Sequence, residues 1–388
     1  MSRFIQLHLL TAYPPANLNR DDLGNPKTVK LGGYDRLRIS SQCLKRTWRT
    51  SDIFEKAMAT HIGIRTKEMG LKIYNILKSN GIDHKKAIEW TKPIAGVFGK
   101  LKELSKKEKE GLKDLSEVEI EKRELVELEI EQLAFFDTEE EKAINALTNS
   151  IAQKRETPAE NELKILRQKM HAVDIALFGR MLASKPAYNV EAACQVAHAI
   201  SVHSIAIEDD YFTAVDDLNN GLEDMGAAHI GETRFAAGLF YSYICINREL
   251  LNQNLGGNVE LANKAIRALT EVAVKVAPEG KQNSFASRAY ASYVLAEKGD
   301  QQPRSLSVAF LKPINHREHD DFIHESIAAL IKQRDGFDRV YGKCADDRFE
   351  LNVIASMNEE NGKEGLKRSD KEKTPFEKLL DFVGKVGG

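Results

Sequence analysis

Residues 53–180 read as helix nearly throughout, and they separate two segments with the texture of strand. A sheet cannot run through such a middle. The main sheet is therefore expected from the two ends of the chain, with a helical lobe inserted between its strands. Within that middle, residues 102–136, 139–156 and 159–181 mix both charge signs with apolar residues at helical spacing, Leu115, Val118, Leu125 and Leu128 among them, and Pro158 punctuates the run. A sustained coiled coil is an option, but the apolar register drifts.

The flanks are different. RFIQLHLLTAY (3–13) alternates as a strand, with Ile5, Leu7, Leu9 and Thr11 on the cleaner core face and Phe4, Gln6, His8 and Leu10 on the other. Residues 14–37, with prolines and a Gly-Gly pair, read as loop with room for a short hairpin. Residues 192–207 and 234–250 are rich in β-branched, aromatic and small residues and read as strands. Between them, 208–233 forms a Gly-, Asn- and Asp-rich excursion of a length that usually carries function. A helix is expected at about 258–276, a polar loop at 278–288, a strand at 289–296 and mostly helix over 312–342. Residues 356–373 are polar. Thr374, Pro375 and Glu377 then spell a capping box for a last helix. The class is α+β, a sandwich with an inserted helical lobe. No GxGxxG or GxxxxGK[ST] occurs, so dinucleotide and P-loop readings lose their support.

The net charge of −2 does not announce a nucleic-acid binder, so an anion-binding role has to come from a local cluster. Cys43, Cys194, Cys245 and Cys344 are far apart and form no CxxC, which argues against zinc ribbons and redox motifs and fits a reduced, cytoplasmic compartment. The N-terminus lacks a secretory pattern, and no run approaches the ~18 apolar residues of a membrane span.

One local cluster stands out. RISSQCLKRTWR (38–49) has four Lys/Arg and no acid. From residue 20 onward it is joined by Arg20, Lys27, Lys30 and Arg36, against only Asp21, Asp22 and Asp35. On a helix capped by Ser40 or Ser41, Gln42, Lys45, Arg46 and Arg49 fall at i, i+3, i+4 and i+7, while Leu44, Thr47 and Trp48 face elsewhere. Stacked like charges without an i±4 acid cost stability, and phosphates are the partner that best explains them. The helix N-terminus beside Ser40, Ser41 and Gln42 would add anion affinity.

With these residues in view, a family resemblance follows. NLNRDD…GG…RISSQCLKRTWR, AVDIALFGRM (172–181), FTAVDDL (212–218), GAAHIGETRFAAGLFYSY (226–243), NQNLGG (252–257) and GKQNSFAS (280–287) occur in order over residues 1–290. Together they resemble the CasC-type backbone subunit of the type I-E CRISPR Cascade complex, of the RAMP superfamily. The resemblance implies an RRM-like (ferredoxin-like) palm at 1–52, 181–204 and 237–388, the last with C-terminal helices. It implies a helical finger lobe at 53–180 and a β-hairpin thumb at 205–236. The implied function is non-enzymatic. Copies of the chain polymerise along a CRISPR RNA beside large, small, repeat-end-capping and RNA-processing subunits. They present the guide bases for pairing with target DNA.

Carried over residue by residue, Arg20, Lys27, Ser40, Gln42, Lys45, Arg46 and Arg49 would hold guide phosphates. Met181 would stack beneath a base, Phe212 and Thr213 would lie at a kinked nucleotide, and Lys281, Gln282 and Asn283 would form another RNA-facing loop. The resemblance implies no metal and no cofactor. Each assignment has a plainer rival: Met181 as core filler, Phe212 as a pin for the hairpin's own packing, 280–288 as a simple turn. The lysines at 100–113 stand among Glu103, Glu108, Glu110 and Asp114 and read as a solvated helix face.

Three other functions compete. A metal-dependent RNase of the type III backbone kind would use Asp21 and Asp22, although Arg20 can pair with these acids. A metalloenzyme would use His316, His319, Asp320 and His324 of HREHDDFIHE, although the spacing is not HExxH. A scaffold without nucleic acid would leave the basic stretch unused.

Overall fold

The structure is a computed structural model that describes residues 2–111, 115–214, 229–315, 321–355 and 373–384. The chain divides into two compact units. One comprises residues 1–57, 194–248 and 263–388, and the other residues 58–193 and 249–262. Among the described residues no helix is long and apolar enough to cross a membrane.

The first unit is a mixed α/β assembly built on an antiparallel sheet. Its strands are β1 (Phe4–Ala16), β2 (Thr28–Leu31), β3 (Tyr34–Ile39), β6 (Cys194–Val196), β7 (Ala199–Ser201), β8 (Glu208–Ala214), β9 (His229–Asn247), β10 (Tyr293–Gly299) and β11 (Asp347–Asn352). The order is β11-β10-β1-β9-β7-β3-β2, with β6 and β8 also paired to β9. Two further strands, β4 (Ile64–Thr66) and β5 (Ala134–Phe136), form a separate ribbon in the second unit.

β1 lies between β9 and β10 and is buried from Phe4 to Thr11 on both faces, so the expectation of one clean core face is corrected. The second face is apolar where Leu10 meets Tyr241, Tyr293, Leu295, Phe310, Ile327 and Leu330. It is polar where Gln6 and His8 are paired inside. Tyr243 Oη and the Arg304 amide both donate to Gln6 Oε1, each at 2.8 Å. The Pro14-Pro15 pair removes two ladder donors, and the β1–β9 register shifts there, between Tyr13 and Ala16.

β2 and β3 form the hairpin anticipated within 14–37, turned by Gly32 and Gly33 at positive φ. At Gly32 a Cβ would stand 1.9 Å from the Leu311 carbonyl oxygen, so this position requires glycine. The expected strand at 192–207 is two short ones, β6 and β7, and β11 was not anticipated. β9 runs on beyond the sheet, and its N-terminal half pairs with β8 from Glu208↔Phe235 to Ala214↔His229. The result is a projecting hairpin whose β8 residues are all exposed. Residues 215–228 of that excursion lie outside the described residues, as do His316, His319, Asp320 and most of 356–373.

Helices of the first unit include α1 (Ser41–Arg49), α2 (Asp52–Met58, ending at the boundary), α10 (Val259–Lys275, entering from the second unit), α11 (Gln282–Phe285), α12 (Phe322–Tyr341) and α13 (Pro375–Gly384). The Thr374 capping box forms as the sequence indicates: Glu377 Oε2 accepts the Thr374 amide and Thr374 Oγ1 accepts the Glu377 amide. Asp321 caps α12, accepting the amides of Ile323 and His324 and pairing with the His324 ring at 2.6 Å. The described end of HREHDDFIHE is thus a helix start.

The second unit packs α3 (Met69–Ser79), α4 (His84–Gly96), α7 (Thr138–Lys154) and the β4–β5 ribbon around Ile73, Leu77, Trp90, Phe98, Leu128, Phe136 and Ile144. Short helices α5 (Lys106–Gly111), α6 (Glu117–Glu124), α8 (Val173–Phe178) and α9 (Arg248–Asn254, mostly in this unit) complete it. The helical reading of 159–181 is overturned except at α8. Buried carboxylates take the amides that a helix would have used. Glu140 Oε1 accepts from Arg167, and Asp137 Oδ2 accepts from His171 and Ala172, at 2.7–2.8 Å. Both acids sit at the start of α7, Asp137 as its N-cap. Tertiary hydrogen bonds override local periodicity here.

Candidate nucleic-acid interface

Ser40 is the N-cap of α1, its Oγ accepting the Cys43 amide at 3.3 Å. Leu44, Thr47 and Trp48 are buried, which turns Gln42 and Arg46 outward and leaves Lys45 and Arg49 half-buried. The loop before β2 folds against this helix. Asn19 Oδ1 accepts the Ser40 amide at 2.9 Å, and the Lys27 carbonyl accepts the Arg38 amide at 2.8 Å.

Between loop and helix lies an open cleft of about 570 Å³. It is lined by Asn19, Arg20, Asp21 and Asp22 from the loop, by Cys43, Arg46, Thr47 and Thr50 from α1, and by Glu279 and Gly280. Arg20 and Arg46 are both exposed, and neither has a carboxylate partner among the described residues, so the expected pairing of Arg20 with its neighbouring acids does not form. Asp21 instead builds the turn, its Oδ1 accepting the amides of Leu23 and Asn25 at 3.0 and 2.8 Å. Burial pushes the Cys43 thiol up, so at neutral pH it is a packing group.

The loop after α10 closes one side of the cleft. Gly280 lies so close to the carbonyls of Leu18 and Asn17 that a Cβ would stand 2.2 Å from the Leu18 oxygen. Lys281 and Ala286 flank α11 at positive φ, and Gln282 Nε2 donates to the Pro278 carbonyl. Asn283 is exposed, and the Phe285 ring rests on Phe235 of β9 at 5.8 Å. The structure therefore brings Arg20, Arg46 and the 279–285 loop together and ties that loop to the base of the hairpin. Because backbone meets backbone at Gly280, Gly280→Ala is expected to cost about 1–3 kcal/mol. Its measured signature is a lowered urea midpoint.

Not every cation of the basic stretch faces out. Arg36 is fully buried and donates to the carbonyls of Ser201, Phe310 and Leu311, which makes it an anchor of β3. Lys30 pairs with Asp35 at 3.0 Å. The helix N-terminus is also less open than its sequence suggests, since His198 Nδ1 takes the Ser41 amide and Ser40 Oγ takes that of Cys43.

On the hairpin, Phe212 stands opposite Gly231, and its ring lies across that glycine while remaining 43% exposed. Tyr211 and Thr213 point to the opposite face of the strand. In the second unit, Met181 is 72% exposed, which excludes a role as core filler. It projects beside a small cleft that also includes Phe98, Lys100 and Leu133. Its neighbour Arg180 is buried, pairing with Glu140 at 2.6 Å and donating to the carbonyls of Phe135, Arg167 and Tyr188. Several lysines of the second unit are paired: Lys100 with Glu131, Lys102 with Glu129 and Lys109 with Glu127.

The fold and this interface define a mixed α/β chain with an antiparallel sheet, a cleft that two exposed arginines share with Asp21, Asp22 and Glu279, and a projecting hairpin. The family described as CT1975-like protein matches residues 5–381, and the chain belongs to this family of Cas proteins. It is similar to a solved chain described as "CRISPR RNA-guided surveillance complex, pre-nicking", with TM-score 0.77 and 24% identity over 98% of this chain and 100% of that one. A second, described as "CRISPR RNA-guided surveillance complex", gives TM-score 0.66 and 20% identity over 98% and 99%. At these identities the likeness is one of fold. No curated protein matches the chain.

Proposed function

We propose that this chain is a non-catalytic guide-RNA-binding backbone subunit of a CRISPR surveillance complex, of the type I-E CasC kind. It repeats along one CRISPR RNA in the cytoplasm and presents guide bases to target DNA alongside the other Cascade subunits. The observation that carries the reading is the cleft in which Arg20, Arg46 and the 279–285 loop meet beside the basic face of α1. Exposed guanidiniums without carboxylate partners suit phosphates, and phosphate contacts carry no sequence code. Base pairing would then read the sequence while the protein reads backbone and shape. The antiparallel order β10-β1-β9-β7, with helices between β1 and β6 and between β9 and β10, supports an RRM-like palm. The β8–β9 hairpin supports the thumb, with Phe212 and Thr213 toward its end. Exposed Met181 supports a base-stacking role, since a thioether stacks without sequence preference.

The test is purification with its operon partners and a CRISPR array, followed by footprinting of the bound nucleic acid. A spacer-length RNA with bases accessible at a regular interval is expected. Absence of RNA, or random RNA without periodic protection, overturns the reading in favour of a scaffold.

A second reading has one observation in its favour: both Asp21 and Asp22 line the cleft. Metal-dependent cleavage of guide-paired RNA would draw on them. Among the described residues no group of three or more His, Cys, Asp or Glu gathers to hold a metal ion, and Asp21 is engaged in its turn. Incubating the complex with matched RNA and Mg²⁺ separates the two readings. Intact RNA supports the backbone subunit, whereas cleavage lost in Asp22→Ala supports the nuclease.

A further inference from the structure

His198 comes from a part of the chain that no motif marks, and it sits at the edge of the basic surface. It precedes β7, which pairs with β3 so that Arg38 stands opposite Ile200. The Arg38 amide in turn donates to the Lys27 carbonyl, so Lys27, Arg38 and His198 occupy three neighbouring runs of chain. The ring is exposed, and its Nδ1 accepts the Ser41 amide at 3.0 Å. That bond fixes the tautomer: the proton is on Nε2, which has no partner among the described residues. Partial desolvation, with the charges of Arg38 and Lys27 nearby, holds the imidazole below its ordinary value, so the ring is neutral at pH 7. Two cations and one fixed neutral donor thus lie close together. The open amide of the helix is not what defines it, because the Ser41 N–H is already taken.

We propose that His198 donates a hydrogen bond from Nε2 to a phosphodiester oxygen of the bound strand, in a subsite shared with Lys27 and Arg38. The inference rests on the guide-RNA reading and adds a residue to it. A strand crossing α1 would leave one phosphate at the Arg20–Arg46 cleft and meet this subsite at the N-terminal end of the helix. Lys27 and Arg38 would contribute charge, and His198 direction.

A neutral donor and a cation leave different signatures. Removing a cation lowers the slope of log K against log salt by about 0.7 on a single strand, whereas removing a neutral hydrogen bond weakens binding without changing the slope. The experiment titrates a fluorescent single-stranded RNA with the full chain at several salt concentrations. His198→Asn keeps an oxygen near Nδ1 for the Ser41 amide and loses the outward donor. His198→Gln places an amide nitrogen near Nε2 and restores it. His198→Asn is expected to bind about fivefold more weakly, with an unchanged slope and an unchanged urea midpoint. His198→Gln should recover most of the loss, and Lys27→Ala should lower the slope. Wild-type affinity in His198→Asn overturns the proposal. So does a slope that falls with it, or a loss that His198→Gln does not rescue. No RNA binding by the wild-type chain removes the guide-RNA reading itself, and this subsite with it.

Discussion

Arg20→Ala combined with Arg46→Ala is expected to weaken single-stranded RNA binding by about a hundredfold at physiological salt, and to lower the salt slope by about 1.4. Both guanidiniums are exposed, line one cleft and lack carboxylate partners among the described residues. Neither holds the fold together, so the unfolding free energy should stay within about 0.5 kcal/mol of wild type. Random-sequence RNA should lose as much affinity as guide RNA, because phosphates are alike in both. A filter-binding or anisotropy titration over 50–300 mM salt gives both quantities. Unchanged affinity would mean that the cleft is not where the strand lies. Lost affinity with an unchanged slope would mean that the two side chains act through shape rather than charge.

The basic face of α1 was legible because a helix projects its charges by local spacing alone. Gln42, Lys45, Arg46 and Arg49 share a face whatever the rest of the chain does, and Leu44, Thr47 and Trp48 are buried as that spacing requires. The Thr374 capping box was legible for the same reason. What spacing does not encode is which distant segment arrives. His198 reaches Ser41 from far along the chain, with no motif to mark it. The irregular backbone at 155–172 is invisible to periodicity, because it exists only once Asp137 and Glu140 are in place to accept its amides. Arg36 shows the opposite error. A cation counted with the basic surface is drawn inside, where three carbonyls replace water. Met181 was ambiguous from its residue type, and its exposure removes only the core-filler alternative.

Glu297→Gln is expected to be the most damaging single change in the first unit, costing about 3–5 kcal/mol. Glu297 is fully buried on β10. Arg304 donates to both of its oxygens at 2.7 and 3.1 Å, Arg348 donates at 2.8 Å, and the His8 ring of β1 lies at 3.3 Å. Arg348 also pairs with Asp338 of α12, so this carboxylate ties two strands to the segments that cover them. Substitution leaves two guanidiniums short of compensation in a poorly hydrated site.

The pH dependence has a definite sign. Burial alone would raise the Glu297 carboxyl, but the His8 and Arg304 hydrogen bonds outweigh it and hold the group far below its ordinary value of 4.5. Burial also holds His8 below its ordinary 6.5, against the pull of Glu297. In both cases the unfolded chain takes up the proton more readily than the folded one, so stability falls as pH falls. The loss begins below about 6.5, as unfolded His8 protonates, and steepens below about 4.5, as unfolded Glu297 does. In Glu297→Gln the lower step should disappear. Urea midpoints from pH 8 to pH 3 measure this directly. A wild-type profile flat across that range would mean that the network is solvated and contributes little, whereas a decline in two stages would identify it as the acid-sensitive centre of the sheet.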